Sequence, residues 1–353
     1  MTDTSMTSYF KSNISNLKDE SGSNIFSDSI FSDSLVLNGE ATSNYFGFSV
    51  SNAGDVNGDG YSDIIVGAYF NIERAYIYFG GLTMDNIADV TLSGTGGYFG
   101  FSVSTAGDVN RDGFSDVIVG QPAGFIGSAF IFYGGSSMNS VPDVTMMDEN
   151  PSTFFGLSVS DAGDVNGDGY PDVIIGADFT DSRTGRAYIY FGSATMDNNA
   201  DVILYGESTY SEFGWSVSTA GDVNNDGYSD VIVGADMYNN YTGKCYIFYG
   251  GTIMNNIADV EMTGERDHNL FGYSVSTAGD VNGDGYSDVI VGGDNRQRYE
   301  VGKAFIFYGG SSMNNVPDVI MIGEATNYSF GISVSCSRRR KRETVIQMLL
   351  LVL

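Results

Sequence analysis

The chain has 353 residues, including 47 glycines and only 5 prolines, and its 44 acidic side chains outnumber its 16 basic ones. Nucleic acid is not an expected partner, and an anionic membrane surface is disfavoured, because a formal charge of -28 repels polyanions. Two cysteines cannot build a disulfide framework, and a single histidine leaves no Ser-His-Asp arrangement. Metal cations are the natural partners of so acidic a chain.

Residues 1–33 are polar and lack the basic start and apolar centre of a secretory signal peptide. We expect this segment to be disordered. No apolar run reaches the length of a membrane span, since the only one near either end is the short MLLLVL at residues 348–353. The sequence therefore predicts either a protein that works inside the cell or a longer protein whose true N-terminus is missing from this chain.

A unit of roughly 50 to 60 residues repeats along the rest of the chain, which indicates a repeat architecture. Its most regular mark is a Phe-Gly pair, at Phe46, Phe99, Phe155, Phe213, Phe271 and Phe330. Each unit contains four short runs rich in Val, Ile, Tyr and Phe and bounded by Gly, Asp and Asn, which is the signature of β-strands. In the third unit we place the strands at residues 155–160, 172–176, 185–192 and 200–206.

Four strands per unit predict an all-β fold, specifically a β-propeller that covers residues 34–335. Runs such as AYIYFG are apolar almost throughout, so both faces of each blade should be covered by neighbouring blades. Five units are complete, and the sixth stops after residue 335. A stacked solenoid is the weaker alternative, because solenoid repeats are usually shorter, at about 20 to 45 residues.

An acidic loop between the first and second predicted strands is nearly identical in all five complete units. The first copy reads AGDVNGDGYSD at residues 53–63, and the loops proper are residues 55–63, 108–116, 164–172, 222–230 and 280–288. Oxygen donors occupy positions 1, 3, 5 and 9 of each loop, glycine at position 6 permits a sharp turn, and position 7 offers its backbone carbonyl. The predicted metal ligands are Asp55, Asn57, Asp59, Tyr61, Asp63, Asp108, Asn110, Asp112, Phe114, Asp116, Asp164, Asn166, Asp168, Tyr170, Asp172, Asp222, Asn224, Asp226, Tyr228, Asp230, Asp280, Asn282, Asp284, Tyr286 and Asp288.

Ligation by carboxylate, amide and carbonyl oxygens suits Ca²⁺, so the five loops predict about five calcium sites. Zinc or copper sites normally use cysteine or histidine, which this chain barely contains. For a single copy, a solvated turn would explain the Asp-Gly and Asn-Gly pairs. Five copies favour metal binding, because an ordinary turn requires neither asparagine at position 3 nor aspartate at position 9.

The loop differs from other calcium-binding loops that begin in the same way. An EF-hand needs a bidentate glutamate at position 12, where the first copy has Val66, and a dockerin loop would lead into a helix. In the second copy Arg111 stands at position 4, where the others have glycine or asparagine. We expect a left-handed backbone there that costs arginine about 1 kcal/mol more than glycine, and hence a weaker second site.

The Phe-Gly pair, the D-x-N-x-D-G-x-x-D loop and the strand VIVGA that follows it resemble the FG-GAP repeat of the integrin α-chain N-terminal propeller and its microbial relatives. The Gly-Ala pair of that repeat is matched at Gly67-Ala68, Gly176-Ala177 and Gly234-Ala235. Gln121 and Gly293 replace the alanine in the second and fifth units. The resemblance implies a propeller of seven blades, calcium in the loops, and an adhesion-like role outside the cell or at its surface.

No catalytic centre is recognisable in the sequence. The residues and the resemblance together predict a non-catalytic, calcium-binding propeller that recognises a protein or a glycan, with no nucleic-acid partner and no membrane span. The alternative is an accessory propeller of a larger secreted enzyme whose catalytic domain lies outside this chain. Residues 71–74, 181–184 and 239–242 differ between blades and are therefore the candidate ligand loops.

Residues 35–40, LVLNGE, have the pattern of the fourth strand of a unit whose first three strands are missing. We expect this segment to serve as the outer strand of the last blade. With five complete blades where the resemblance implies seven, we also expect an open ring with exposed apolar blade faces.

The tail of residues 336–353 breaks the repeat, with a basic cluster, SRRRKR, followed by an apolar end. A targeting or membrane-surface element is one interpretation. The other is a frameshift, because back-translation in a shifted frame reads AGDVN over residues 337–342 and GDGYSDVIVGA over residues 343–353. Two single-base insertions would produce this. The hypothesis predicts a sixth blade read out of frame, disordered or poorly packed and without a selected function.

Overall fold

A computed structural model describes residues 35–352, apart from residues 95, 124–125, 149, 267, 294–300, 325–329 and 342–343. Of residues 336–352 only the backbone is described. The segment 1–33, for which we expect disorder, lies outside the described residues. Among the described residues, the regular structure consists of β-strands and two short helical turns, Thr180–Arg183 and Tyr238–Tyr241, which confirms the predicted all-β class.

Five four-stranded antiparallel sheets follow one another along the chain, and each corresponds to one predicted blade. Within each sheet the strands lie side by side in sequence order. The strands of blades 1 to 3 are β1 (Val50–Gly54), β2 (Asp63–Ala68), β3 (Arg74–Tyr78), β4 (Val90–Ser93), β5 (Val103–Gly107), β6 (Asp116–Gln121), β7 (Ser128–Phe132), β8 (Val144–Met147), β9 (Ser158–Gly163), β10 (Asp172–Ala177), β11 (Arg186–Tyr190) and β12 (Val202–Tyr205). The strands of blades 4 and 5 are β13 (Ser216–Gly221), β14 (Asp230–Ala235), β15 (Lys244–Phe248), β16 (Val260–Thr263), β17 (Phe271–Gly279), β18 (Asp288–Gly293), β19 (Lys303–Phe307) and β20 (Val319–Ile322).

The second strand of each blade lies in the centre of the core. Every residue of β6, β10, β14 and β18 is buried, as predicted for strands that are covered on both faces. In blade 3, Val173 and Ile175 pack against Ile118 and Ile131 of blade 2, whereas Ile174 packs with residues of blade 4. The β-branched side chains suit a pleated surface that is packed on two sides. Each interior sheet is therefore held between two others.

The first strand of blade 3 begins later than predicted, at Ser158 rather than at residue 155. Gly156 has a φ of 88°, in the left-handed region, so the Phe-Gly pair forms a turn instead of an extended run. The carbonyl oxygen of Gly156 approaches Gly120 of blade 2 so closely that a Cβ on Gly120 would overlap it. Phe155 is completely buried. The Phe-Gly pair is thus a contact between blades, and the glycine near the end of each second strand makes room for it.

The two ends of the blade series expose valines that are buried elsewhere. Val50 in β1 is 58% exposed, whereas its counterparts Val103 and Val275 are 5% and 7% exposed. At the other end Val281 is 37% exposed, whereas the equivalent Val223 is fully buried. These exposures agree with the expected open series of blades, because no described blade covers either position.

Residues 35–40 lie beside blade 1, in the position that the fourth strand of a preceding blade would occupy. Leu37 packs in the apolar cluster on the outer face of β2 and β3, and Glu40 forms an ion pair with Arg74. Blade 4 receives the same contact from the end of a true fourth strand, since Glu207 lies two residues after β12 and pairs with Lys244 at 2.5 Å. The segment itself is not a strand here, so its pairing with the last blade stays a prediction.

The backbone of residues 333–352 forms a hairpin of two antiparallel strands, β21 (Ser333–Lys341) and β22 (Thr344–Val352), so the prediction that the tail is disordered or poorly packed stays a prediction in its second part. β21 begins where the first strand of the sixth unit is predicted, and Val334 is buried against Ile290 and Ile306 of blade 5. The residues of β22 are mostly apolar, a composition that favours a strand over a solvated coil. The frameshift stays a hypothesis.

Candidate metal centres

The five acidic loops all lie at one end of the blades, where each joins the first strand to the second. We call this the acidic-loop end, and the opposite end the connector end. The first strand of each blade finishes in a glycine with a positive φ, such as Gly54 at 77°, which turns the chain into the loop. The structure therefore places all the predicted ligands of one loop within a single turn.

The aspartate at position 1 organises this turn. Asp55 accepts hydrogen bonds from the backbone N–H groups of Gly58 at 2.8 Å, Asp59 at 3.0 Å and Gly60 at 2.8 Å. At position 3, Asn57 Oδ1 accepts from Asp59 N at 2.9 Å, and Asn57 Nδ2 donates to Asp59 Oδ2 at 2.9 Å. The same side-chain bond from asparagine to aspartate occurs in all five loops. Positions 1, 3 and 5 are thus held together.

The aspartate at position 9 is buried in all five loops, with at most 1% of its surface exposed. In the third loop Asp172 Oδ2 accepts from Val165 N, and Asp172 Oδ1 accepts from Gly192 N, both at 2.8 Å. Val165 belongs to the loop, whereas Gly192 lies just after the third strand. The sequence analysis did not predict that this carboxylate connects the loop by a hydrogen bond to the end of the third strand of its own blade. The sequence feature that could have indicated this bond is the Tyr-Gly or Phe-Gly pair that follows the third strand of each blade.

Burial raises the pKa of these position-9 carboxylates. The pKa of Asp116, Asp172 and Asp230 rises to about 7, chiefly because burial disfavours the charged form. Two backbone hydrogen bonds oppose the rise, whereas repulsion by the carboxylates at positions 5 and 1 increases it. The pKa values of Asp63 and Asp288 are raised by the same causes. Each loop therefore concentrates negative charge around a buried acid.

The donor set of each loop fits a hard cation by its chemistry. Carboxylate, amide and carbonyl oxygens are the ligands that Ca²⁺ takes, and the ion pairs of the described residues involve none of the loop carboxylates. Within the described ranges, no three Asp, Glu, His or Cys side chains are grouped closely enough to hold a metal ion. The carboxylate at position 1 turns to the N–H groups of its own loop, and two of the five donors are an amide and a backbone carbonyl. The structure thus supports the donor chemistry and shows no coordination geometry.

The backbone at position 4 is left-handed, as predicted. φ is 57° at Arg111 in the second loop and 59° at Asn225 in the fourth. The Arg111 guanidinium lies over the ring of Tyr170 in the third loop, with 5.1 Å between Cζ and the ring centroid. Such a cation–π contact offsets part of the backbone strain. The sequence did not indicate that position 4 touches the next loop.

Two of the three candidate ligand loops meet at one cavity at the connector end. Residues 181–184 and 239–242 each join the second strand to the third, in blades 3 and 4. The cavity has a volume of about 650 Å³. Its lining includes Arg183, Glu207, Tyr210, Asn239, Asn240 and Tyr241. The third candidate loop, residues 71–74, does not line it.

Both loops at the cavity contain consecutive residues with a left-handed backbone. φ lies between 51° and 62° over residues 181–183, and between 47° and 63° over residues 239–241. Such conformations are costly for residues other than glycine, and they cluster at binding sites. Arg183 is held in place by an ion pair with the buried Glu212 and by the ring of Phe179, 4.7 Å from its Cζ. Nearby, burial raises the pKa of Asp178 to about 7, and the charge of Arg183 partly opposes this rise.

Blades 1 and 2 have a different surface at the connector end. Six aromatic rings form one cluster there, and Tyr45 and Phe48 are 54% and 53% exposed. The rings are those of Tyr45, Phe48, Tyr69, Phe70, Tyr98 and Phe101. The connector end therefore changes its chemistry from blade to blade.

The repeat units match a known family. A family model described as FG-GAP repeat matches residues 46–79, 99–135, 155–190, 213–248 and 271–307, which make up more than half of the chain, so the predicted resemblance is confirmed. Integrin alpha-5 of Xenopus laevis is 36% identical over 163 residues, which cover 40% of this chain and 15% of that protein. Integrin alpha-7 of Rattus norvegicus is 37% identical over 156 residues, with 40% and 14% covered. Integrin alpha-6 of Homo sapiens is 33% identical over 152 residues, with 40% and 13% covered.

This chain spans only 13 to 15% of the length of these relatives. Among the described residues, no helix is long and apolar enough to cross a membrane.

Proposed function

This chain belongs to the FG-GAP repeat family, and on that basis we propose that it is a non-catalytic β-propeller that binds calcium in its five acidic loops and recognises a protein or a glycan. An extracellular or cell-surface location is part of the same proposal, as the resemblance to integrin α chains implies. The proposal includes neither a nucleic-acid partner nor a membrane span. The charge of -28 disfavours binding to nucleic acid, and no apolar run in the sequence has the length of a membrane span.

Calcium binding is supported by the charge of the loops. Each loop carries three carboxylates and two further oxygen donors close together in the sequence, and the position-9 aspartate is buried with a raised pKa. A bound divalent cation would remove the repulsion that the loop otherwise carries. Residues at positions 1, 3, 5, 7 and 9 would hold the ion, and its contribution would be to fix the loops and, through them, the blade ends.

Ligand recognition is supported by the cavity between blades 3 and 4. Two loops that differ from the other blades meet there, and this is the observation that carries the recognition proposal. Three tyrosines, two asparagine amides and the Glu207 carboxylate line the cavity, so it offers flat rings beside hydrogen-bonding groups. Such a mixture suits a glycan or a polar peptide segment better than an apolar small molecule.

An accessory propeller of a larger secreted enzyme is the alternative. The relatives are much longer than this chain, so its neighbouring domains are not defined by the matched region. The full-length gene discriminates between the two proposals. A catalytic domain encoded next to this propeller would favour the alternative.

A binding screen tests the recognition proposal. Glycan and protein arrays probed with the chain in millimolar calcium should give ligands that are lost in EGTA. Tyr210→Ala in the cavity lining should abolish binding, because Tyr210 is 65% exposed and available to a ligand. Tyr45→Ala, in the aromatic cluster of blade 1, is the matched control and should bind normally. Equal loss in both variants would show that the ligand site lies elsewhere.

A further inference from the structure

The acidic loops of neighbouring blades are hydrogen-bonded to each other directly. Ser115 N, at position 8 of the second loop, donates to the carbonyl oxygen of Asp55 in the first loop at 3.0 Å. Gly135 N of blade 2 donates to the carbonyl oxygen of Val56 at 2.7 Å. The Ser115 side chain adds to this contact, because its Oγ accepts from Asp55 N at 3.2 Å. A predicted calcium ligand of one loop is thus held by the loop of the next blade.

The same pair of bonds connects the third loop to the fourth and the fourth to the fifth. The two bonds from position 8 run from Ser229 N to Asp164 O and from Ser287 N to Asp222 O, each at 2.9 Å. The two companion bonds run from Gly251 N to Val165 O and from Gly310 N to Val223 O, each at 2.7 Å. Three of the four junctions between loops are therefore built alike.

The junction between the second and third loops differs. Position 8 of the third loop is Pro171, which has no backbone N–H to donate. Within the described residues no hydrogen bond from blade 3 reaches the carbonyl of Val109. The blades are not further apart there, since a Cβ on Gly192 would lie 2.9 Å from the Val109 oxygen, as one on Gly134 would lie 2.8 Å from the Val56 oxygen. Two bonds are therefore missing among the described residues: Pro171 has no N–H to donate to Asp108 O, and Ser193 N, the counterpart of Gly135 N, does not bond to Val109 O.

At this junction the second loop forms a backbone hydrogen bond within itself. Arg111 N donates to the carbonyl oxygen of Asp108 in its own loop at 3.2 Å. The Arg111 side chain reaches across the junction and lies over the ring of Tyr170. A surface cation–π contact of this kind moves with the side chain and does not fix the backbone that carries the calcium ligands.

We propose that the residue at position 8 decides whether calcium binding at one loop is coupled to binding at the loop before it. The backbone N–H at position 8 couples loop 1 to loop 2, loop 3 to loop 4, and loop 4 to loop 5. Pro171 lacks this N–H, so loops 1 and 2 are not coupled to loops 3, 4 and 5. This inference rests on the proposed calcium binding. A cation that orders one loop reduces the cost of ordering a neighbour bonded to it, and the coupling is reciprocal. In a repeat protein such coupling passes between nearest neighbours.

Hydrogen exchange followed by mass spectrometry tests the coupling in the full chain. Peptides that cover each loop report the calcium concentration at which that loop becomes protected. Asp226→Ala disables the fourth loop and should raise the midpoints of loops 3 and 5 by about five-fold or more, while loops 1 and 2 keep theirs. Asp112→Ala disables the second loop and should raise the midpoint of loop 1 without changing that of loop 3.

Substitutions at position 8 separate the N–H group from other effects. Ser229→Pro removes the donor, and Pro171 shows that proline is accommodated at this position. In this variant loop 3 should no longer respond to Asp226→Ala. Ser229→Ala keeps the N–H group and should keep the response. Pro171→Ser restores a donor and should make loop 3 respond to Asp112→Ala.

Two results would overturn the inference. A shift of loop 3 in Asp112→Ala as large as that of loop 1 would show that Pro171 is no barrier. Unshifted loops 3 and 5 in Asp226→Ala would show that the loops bind independently. Absence of calcium-dependent protection in every loop of the unaltered chain is a different result, and it would overturn the proposed calcium binding itself.

Discussion

The two ends of the blades are built in opposite ways. At the acidic-loop end, five loops repeat one set of hydrogen bonds, from the side-chain bond between positions 3 and 5 to the buried aspartate at position 9. At the connector end, blades 3 and 4 enclose a cavity between strained loops, whereas blades 1 and 2 present exposed aromatic rings. Both ends are attached to the same four-stranded sheets.

The difference shows which parts of the chain carry stability and which are free to vary. Every acidic loop faces the same problem, three carboxylates in one turn, so the same residues recur in each. The connector loops lie beyond the ends of the second and third strands and contribute partly buried side chains, such as Ile72 and Tyr238, to the core clusters. Changes to the acidic loops should therefore alter stability, and changes to exposed side chains of the connector loops should alter recognition.

Removing calcium should have the largest effect on stability. With a Kd of about 10⁻⁴ M, millimolar calcium adds roughly 1.4 kcal/mol per site, or about 7 kcal/mol for five sites. EGTA should therefore lower the midpoint of thermal unfolding strongly. Tyr210→Ala at the connector end is the control and should show the same dependence on calcium. A melting curve that EGTA leaves unchanged would contradict calcium binding.

A change in pH should act on the connector end through Asp178. The pKa of this buried carboxyl is raised to about 7 in the folded protein, so its contribution to stability is complete below its unfolded pKa and is lost as the pH rises through about 7. With calcium saturating, the free energy of unfolding measured in urea should be lower at pH 8 than at pH 5, because about 1.4 kcal/mol is lost for each pH unit between pH 5 and the raised pKa of about 7. Asp178→Asn should reduce this pH dependence. An equal pH dependence in the variant would assign the effect to other groups.

Loss of one acidic loop should lower the free energy of unfolding by about the contribution of one calcium site. Asp168→Ala removes the position-5 ligand of the third loop and should reduce the free energy of unfolding in calcium by roughly 1.4 kcal/mol. In EGTA the same variant should differ much less from the unaltered chain, because no cation is lost. Urea unfolding in both conditions measures the difference. An equal loss with and without calcium would indicate a purely structural role for Asp168.

Arginine at position 4 should give the smallest effect. Arg111→Gly relieves about 1 kcal/mol of left-handed strain but loses a cation–π contact of about 0.5 to 1 kcal/mol, so its unfolding free energy should change little. Arg111→Ala loses the contact and keeps the strain, and it should be destabilised by about 0.5 to 1 kcal/mol. Identical stability of the two variants would show that the left-handed backbone at position 4 carries no strain, and an Arg111→Ala variant as stable as the unaltered chain would show that the contact with Tyr170 contributes nothing.

Much of the fold could be predicted because its signals are local. Short apolar runs, turn residues and the spacing of the Phe-Gly pairs locate the strands, and Gly-rich acidic loops locate the predicted metal ligands. The boundary error at Ser158 arose because the left-handed conformation of Gly156 depends on the blade that packs against it. The candidate loops 181–184 and 239–242 could be named from their variability, but not their meeting at one cavity.

The sequence by itself determined the number of complete blades, the residues of each acidic loop and the chemistry of their donors, because each of these depends on residues close together along the chain. Only the tertiary structure decided which groups meet across blades. The burial of Asp172 beneath Gly192, the ion pair of Arg183 with Glu212 and the missing donor at Pro171 all involve partners in different strands or different blades. The stacking of the sheets sets the distances between these groups, and the repeat pattern of the sequence does not indicate them.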